Sequence, residues 1–119
     1  MKIVVSASGE GLEAQVDPRF GRAAAFVLFD TQTSEVQQVD NRQSLNAAQG
    51  AGIQAAEAVS RLGAECLITG HCGPKAFRTL QAAGIRVYTG AAGTVGEAIA
   101  ALQQGRLALA EAADVDGHW

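Results

Sequence analysis

The sequence predicts an α/β domain: a mixed five-stranded sheet with an antiparallel hairpin in its first half, a parallel βαβα unit in its second, and three covering helices. Three observations carry this expectation. Short β-branched runs cluster near the start, a periodic amphipathic segment follows, and a strand, a glycine-bearing loop and a helix then occur twice, about 21 residues apart.

The elements follow in order. Lys2–Ala7 is a β-branched strand ending in Ser8-Gly9-Glu10-Gly11. Gln15–Arg22 contains Pro18 and Gly21 and is expected to be irregular. Ala25–Asp30 and Glu35–Asp40 are strands, joined through Asp30–Ser34 as a hairpin. From Asn46 to Leu62, Ala48, Gly52, Ala55, Ala56, Val59 and Leu62 recur at spacings of three and four, which predicts a helix capped by Gly63.

The repeat begins there. Gly63-Ala64-Glu65-Cys66-Leu67-Ile68-Thr69-Gly70 aligns with Gly84-Ile85-Arg86-Val87-Tyr88-Thr89-Gly90, and each copy continues as Thr-Gly-x-x-Gly into a helix. The first helix spans about Pro74 to Ala83, with Pro74 suited to the first turn. The second starts at Thr94, whose Thr94-Val95-Gly96-Glu97 is a capping box, and ends near Gly105. Strands separated by helices in this way pair in parallel through right-handed crossovers. Residues 1–109 thus form one domain, and Ala110–Trp119, with Glu111, Asp114, Asp116 and Gly117 and no periodicity, is expected to be a disordered tail.

Composition excludes several classes. Of 119 residues, 24 are Ala and 14 are Gly, so about a third of the chain is its two smallest residues, which favours close helix–sheet packing. A 48% hydrophobic content and a net charge of −3 argue against disorder. A pI near 5.2 with nine basic residues in no run makes a poor general nucleic-acid binder. No apolar stretch reaches the roughly 18 residues of a membrane span, and the N-terminal run is too short for a signal peptide, so a cytoplasmic location is expected. Cys66 and Cys72 are too few for a disulfide framework and are expected to be reduced, with Cys66 in the core.

In open α/β sheets ligands bind beyond the carboxyl ends of the strands. Three glycine-rich loops are expected to converge there: Ser8–Gly11, Gly70–Gly73 and Gly90–Gly93. Close backbone approach and helix N-termini make that edge receptive to anions. Where the first repeat carries His71-Cys72, its twin carries Ala91-Ala92, so His71 and Cys72 are the candidate metal ligands. Adjacent residues cannot close a zinc site, and His118 lies in the tail. In Asp17-Pro18-Arg19-Phe20-Gly21-Arg22-Ala23, Arg19 and Arg22 flank a Phe-Gly pair and offer fork-like donors to an anion. Pairing of one Arg with Asp17 is the structural alternative. Lys75 opposes the dipole of the helix it begins, which a bound anion would offset. Gly9-x-Gly11-x-x-Ala14 imitates a dinucleotide fingerprint, but Pro18 and Gly21 interrupt the helix such a motif must open. The familiar hydrolase and metalloprotease motifs are missing, so no catalysis is expected.

Taken together, Asp17–Ala23, Asn46 with Gly50-Ala51-Gly52, Gly70-His71-Cys72-Gly73-Pro74-Lys75-Ala76-Phe77, Ala83–Tyr88 and Gly93-Thr94-Val95 resemble the dinitrogenase iron–molybdenum cofactor biosynthesis family over about residues 1–109. For a small single-domain member, the resemblance implies a ribonuclease H-like fold and non-covalent binding of a sulfide-bridged molybdenum–copper cluster. Arg19, Phe20, Arg22, Gly70, His71, Cys72, Gly73, Lys75, Ala91 and Ala92 are the residues expected to hold it. Many cofactor carriers of the family have His before the Phe-Gly pair; Arg19 stands there in this chain, which implies electrostatic holding of an anionic thiometallate from that loop. Cys72 is the candidate contact to copper. Two other functions stay open: a phosphate- or nucleotide-binding regulatory module using the same loops, and a partner-binding protein within a larger assembly.

Overall fold

The β-branched run Lys2–Ala7 (β1) lies at the centre of the sheet, and all but its first residue are buried. A computed structural model of the chain describes residues 1–41 and 50–113. Ala25–Asp30 (β2) pairs antiparallel with β1, setting Lys2 opposite Asp30 and Ala7 opposite Ala25. Val36–Asp40 (β3) continues the antiparallel ladder on the outer side of β2. On the other flank, Cys66–Ile68 (β4) and Arg86–Tyr88 (β5) add in parallel, giving a five-stranded sheet in the order β3-β2-β1-β4-β5. The expected hairpin and parallel half are both present, in the expected mixed sheet.

Three helices cover this sheet among the described residues: Ala51–Arg61 (α1), Pro74–Ala82 (α2) and Val95–Gln103 (α3). Strand alternation sends Val4, Phe26, Leu28, Leu67 and Val87 to one face, against Ala55, Ala56 and Val59 of α1 and Ala76, Phe77 and Leu80 of α2. Ile3, Val5, Val27, Cys66 and Ile68 face the other way, against Val95, Ala98 and Ile99 of α3. Small residues let the helices approach: a Cβ built on Gly52 would lie 3.1 Å from Ala76 Cβ, at the α1–α2 contact.

Helix ends follow local chemistry. Thr94 and Glu97 form the capping box, Glu97 N–H donating to Thr94 Oγ1 at 3.1 Å and Thr94 N–H to Glu97 Oε1 at 2.9 Å. Pro74 occupies the first turn of α2. One boundary differs from expectation. The first described helix starts at Ala51, not Asn46, because Gly50 adopts a left-handed φ of 76° that ends helical continuity at that residue. Asn46 to Gln49 of the expected helix lie outside the described residues.

At the C-terminal side, Leu109 bridges Tyr88 antiparallel and Ala110 N–H donates to Val87 O at 2.8 Å, lining the outer edge of β5. Ala110 and Ala113 pack against the α1/α2-side core. Asp114, Asp116, Gly117 and His118 of the expected tail lie outside the described residues.

Candidate functional site

The carboxyl ends of β1, β3, β4 and β5 and the start of β2 lie along one edge of the sheet. Each chain passing this edge is tied to another by the backbone. His71 N–H donates to Pro18 O at 2.7 Å and Phe20 N–H to His71 O at 3.3 Å, so Arg19 and His71 run side by side as a parallel bridge. Gly90 N–H donates to Gly70 O at 2.8 Å and Ala91 N–H to Thr69 O at 3.2 Å. The Arg19 loop, the His71 loop and the Ala91 loop therefore meet.

Two polar side chains absent from the sequence reading hold this junction. Ser6 and Thr69 are both fully buried at the ends of β1 and β4. The Ser6 hydroxyl lies 2.8 Å from Asp17 O and 2.8 Å from the Thr69 hydroxyl. The carbonyl can only accept, so Ser6 donates to it and Thr69 completes the chain of hydroxyls. Their signal in the sequence is a hydroxyl closing an otherwise apolar strand. Asp17 itself turns inward on the loop: its Oδ1 accepts the Arg19 backbone N–H at 3.0 Å.

Gly70 has a structural reason to be glycine. A Cβ there would fall 2.6 Å from Pro18 Cα and 2.8 Å from Pro18 O, so only hydrogen lets the Arg19 loop lie on the end of β4. Gly73 is buried and caps α2 without a side-chain hydrogen bond. Lys75 follows one residue into the helix and is exposed, as is Arg19; Arg22 and His71 are half-buried. Among the described residues, no carboxylate forms an ion pair with Arg19 or Lys75. Ala91 is half-buried toward the α3-side core and Ala92 is exposed. The result is a surface of cationic side chains, polar backbone and small apolar groups.

The structure places three expected features away from the exposed surface of the edge. Phe20, expected on the binding surface, is fully buried and stacks on Phe26 at a ring-centroid distance of 5.5 Å, anchoring the loop from below. Cys72 is also fully buried among the α1/α2-side core, with Sγ directed to Gly73 O at 3.7 Å. His71 beside it is half-buried, so the two adjacent residues differ in exposure. The loop Ser8–Gly11 also leaves the edge: Gly11 N–H donates to Gln38 Oε1 and Gln38 Nε2 to Gly9 O, both at 3.0 Å. The chain then returns to α3, where Val95 N–H donates to Ala14 O and Gly96 N–H to Leu12 O. No helix follows Gly11, which removes the dinucleotide fingerprint.

Among the described residues no three or more His, Cys, Asp or Glu side chains gather as a metal site. No described helix is long and apolar enough to cross a membrane.

The carboxyl edge of this small mixed sheet is lined by basic side chains and glycines. The model of the dinitrogenase iron–molybdenum cofactor family matches residues 1–105, and the chain belongs to that family. Its fold is shared by the apo form of the orange protein from Desulfovibrio gigas, at 44% identity over 96% of each chain with a TM-score of 0.94. A putative NifB protein from Thermotoga is 37% identical over 91% of each chain, with a TM-score of 0.80. An uncharacterized protein of Methanocaldococcus jannaschii is 25% identical over 95 residues, which is 78% of this chain and 80% of that one.

Proposed function

We propose that this protein carries or stores an anionic, sulfide-bridged molybdenum–copper cluster without covalent attachment, and that it is not an enzyme. The observation that carries this reading is the alignment of Arg19 with His71 on an edge that also presents Lys75 and the Ala91-Ala92 loop. A thiometallate is polyanionic yet soft and weakly hydrated at its sulfur faces. Guanidinium and ammonium groups answer its charge, and alanine methyls answer its sulfur faces. Similarity to the orange protein supports a cofactor-carrying role, and the family match points the same way.

In this reading Arg19, Arg22, His71 and Lys75 face the cluster, while Gly70, Gly73, Ala91 and Ala92 leave it room. Phe20 and Cys72 support the surface from beneath, and contact between the Cys72 thiolate and copper requires the loop to turn its sulfur outward. A cytoplasmic location and a ribonuclease H-like label belong to the same proposal; the strand order β3-β2-β1-β4-β5 supports the label. The test is elemental analysis and visible absorption of protein isolated from its natural host under mild conditions. Stoichiometric molybdenum and copper with a sulfide-to-metal charge-transfer spectrum is the expected result. Protein that carries neither metal and instead retains a nucleotide would replace this reading with the phosphate-binding alternative.

A further inference from the structure

The opposite end of the sheet holds a pair of sulfur atoms that the cluster reading leaves unused. Cys66 opens β4, in register with Ile3 of β1 and Arg86 of β5, and is 1% exposed. Met1 packs on the same α3-side core and lays its thioether over the thiol. The Cys66 Sγ donates to Met1 Sδ at 3.6 Å, and Arg86 Nη2 donates to that Sδ at 3.4 Å. Burial pushes the Cys66 thiol up, with the Arg86 guanidinium acting partly against it.

We propose that Cys66 and Met1 form a binding site for one copper(I) ion, separate from the cluster edge. The S–H···S contact already directs a thiol and a thioether lone pair at one point, where a proton now sits between two soft donors. Thiolate and thioether together select copper(I) among biological metals, and copper(I) is satisfied by few ligands. Zinc wants four harder or thiolate ligands, and among the described residues no such group converges on a metal. On binding, the Cys66 S–H bond breaks, an S–Cu bond forms, Met1 donates a lone pair, and the proton leaves to solvent. Copper stays at +1 throughout. One positive charge replaces another, so Arg86 meets no added repulsion.

The chain contains a single methionine, which makes the test specific. Protein labelled with selenomethionine is loaded anaerobically with copper(I) alone and measured by X-ray absorption at the copper edge. A copper–selenium shell beside a copper–sulfur shell is expected. In competition with a chromophoric copper(I) chelator, Cys66→Ser and Cys66→Ala should each bind at least about tenfold more weakly than the parent chain. Copper bound without a selenium shell overturns the proposal, as does parental affinity in either variant. The absorption measurement uses the unmutated sequence, so it stands even if a variant folds poorly. No molybdenum is present, so failure here leaves the cluster reading untouched.

Discussion

Arg19 and His71 are neighbours across a parallel bridge, held by His71 N–H on Pro18 O at 2.7 Å and Phe20 N–H on His71 O at 3.3 Å. Residues 52 positions apart in the chain are thereby fixed as one surface. The bridge depends on a missing side chain, that of Gly70, and on two buried hydroxyls, those of Ser6 and Thr69. Each dependence leads to a measurable outcome.

Gly70→Ala forces a methyl to within 2.6 Å of Pro18 Cα, which backbone cannot relieve without moving the Arg19 loop. The expected cost is about 1–3 kcal/mol, as for other overpacked sites. Urea unfolding should show it as a lower midpoint at unchanged m-value, accompanied by weakened ligand uptake.

Ser6→Ala leaves Asp17 O without the hydroxyl that now lies 2.8 Å away in a buried position. A loss of about 1–3 kcal/mol is expected. Ser6→Thr should recover part of it by restoring the donor, which chemical denaturation of the two variants will compare directly.

Arg19→Ala combined with Arg22→Ala should weaken uptake of a thiomolybdate–copper cluster more than Cys72→Ala does. The Cys72 sulfur is buried, whereas Arg19 is exposed at the edge. Uptake by the parent should also fall with added salt, since screening acts on exposed charges. Titration followed by visible absorption gives both comparisons. Equal uptake by the double arginine variant and the parent would remove electrostatics from the account.

Thr94 Oγ1 and the Glu97 carboxylate exchange hydrogen bonds with each other's backbone at the start of α3. Thr94→Ala should cost about 1 kcal/mol. The hydrogen bonds from the Thr94 backbone and side chain hold the Glu97 carboxyl below its usual range. A carboxyl with a lowered folded pKa contributes stability above its unfolded pKa and loses it as pH falls through the folded value. The stability of the parent relative to Glu97→Gln should therefore be greatest near neutrality and shrink on acidification, as denaturation at a series of pH values will show.

Much of the fold was legible because local and global signals agree. The β-branched runs, the twice-used Thr-Gly-x-x-Gly, Pro74 and the Thr94–Glu97 box each specify an element without reference to distant residues. The site was less legible, for physical reasons that differ by residue. Gly70 looks like a ligand-approach glycine, yet its partner is Pro18, brought alongside only by the folded sheet. The Ser8–Gly11 loop follows a strand toward the expected edge, but the Gln38 amide captures it from β3. Cys72 and His71 read alike as ligands in one dimension, and tertiary packing then sends the sulfur inward. Gly50 interrupts a spacing of alanines that is itself compatible with a longer helix. Arg19, Arg22 and Lys75 were visible because charge is scarce in this chain, at 18% of residues.

The central claim is that this edge takes up a molybdenum–copper sulfide cluster through charge and backbone. Its most direct test is anaerobic titration of the purified protein with tetrathiomolybdate and copper, followed by desalting, metal analysis and visible spectroscopy. Co-elution of both metals with the protein in a fixed ratio, lost in the Arg19→Ala, Arg22→Ala double variant, is the result expected. Elution of the protein free of both metals, with the parent and the double variant indistinguishable, would contradict it.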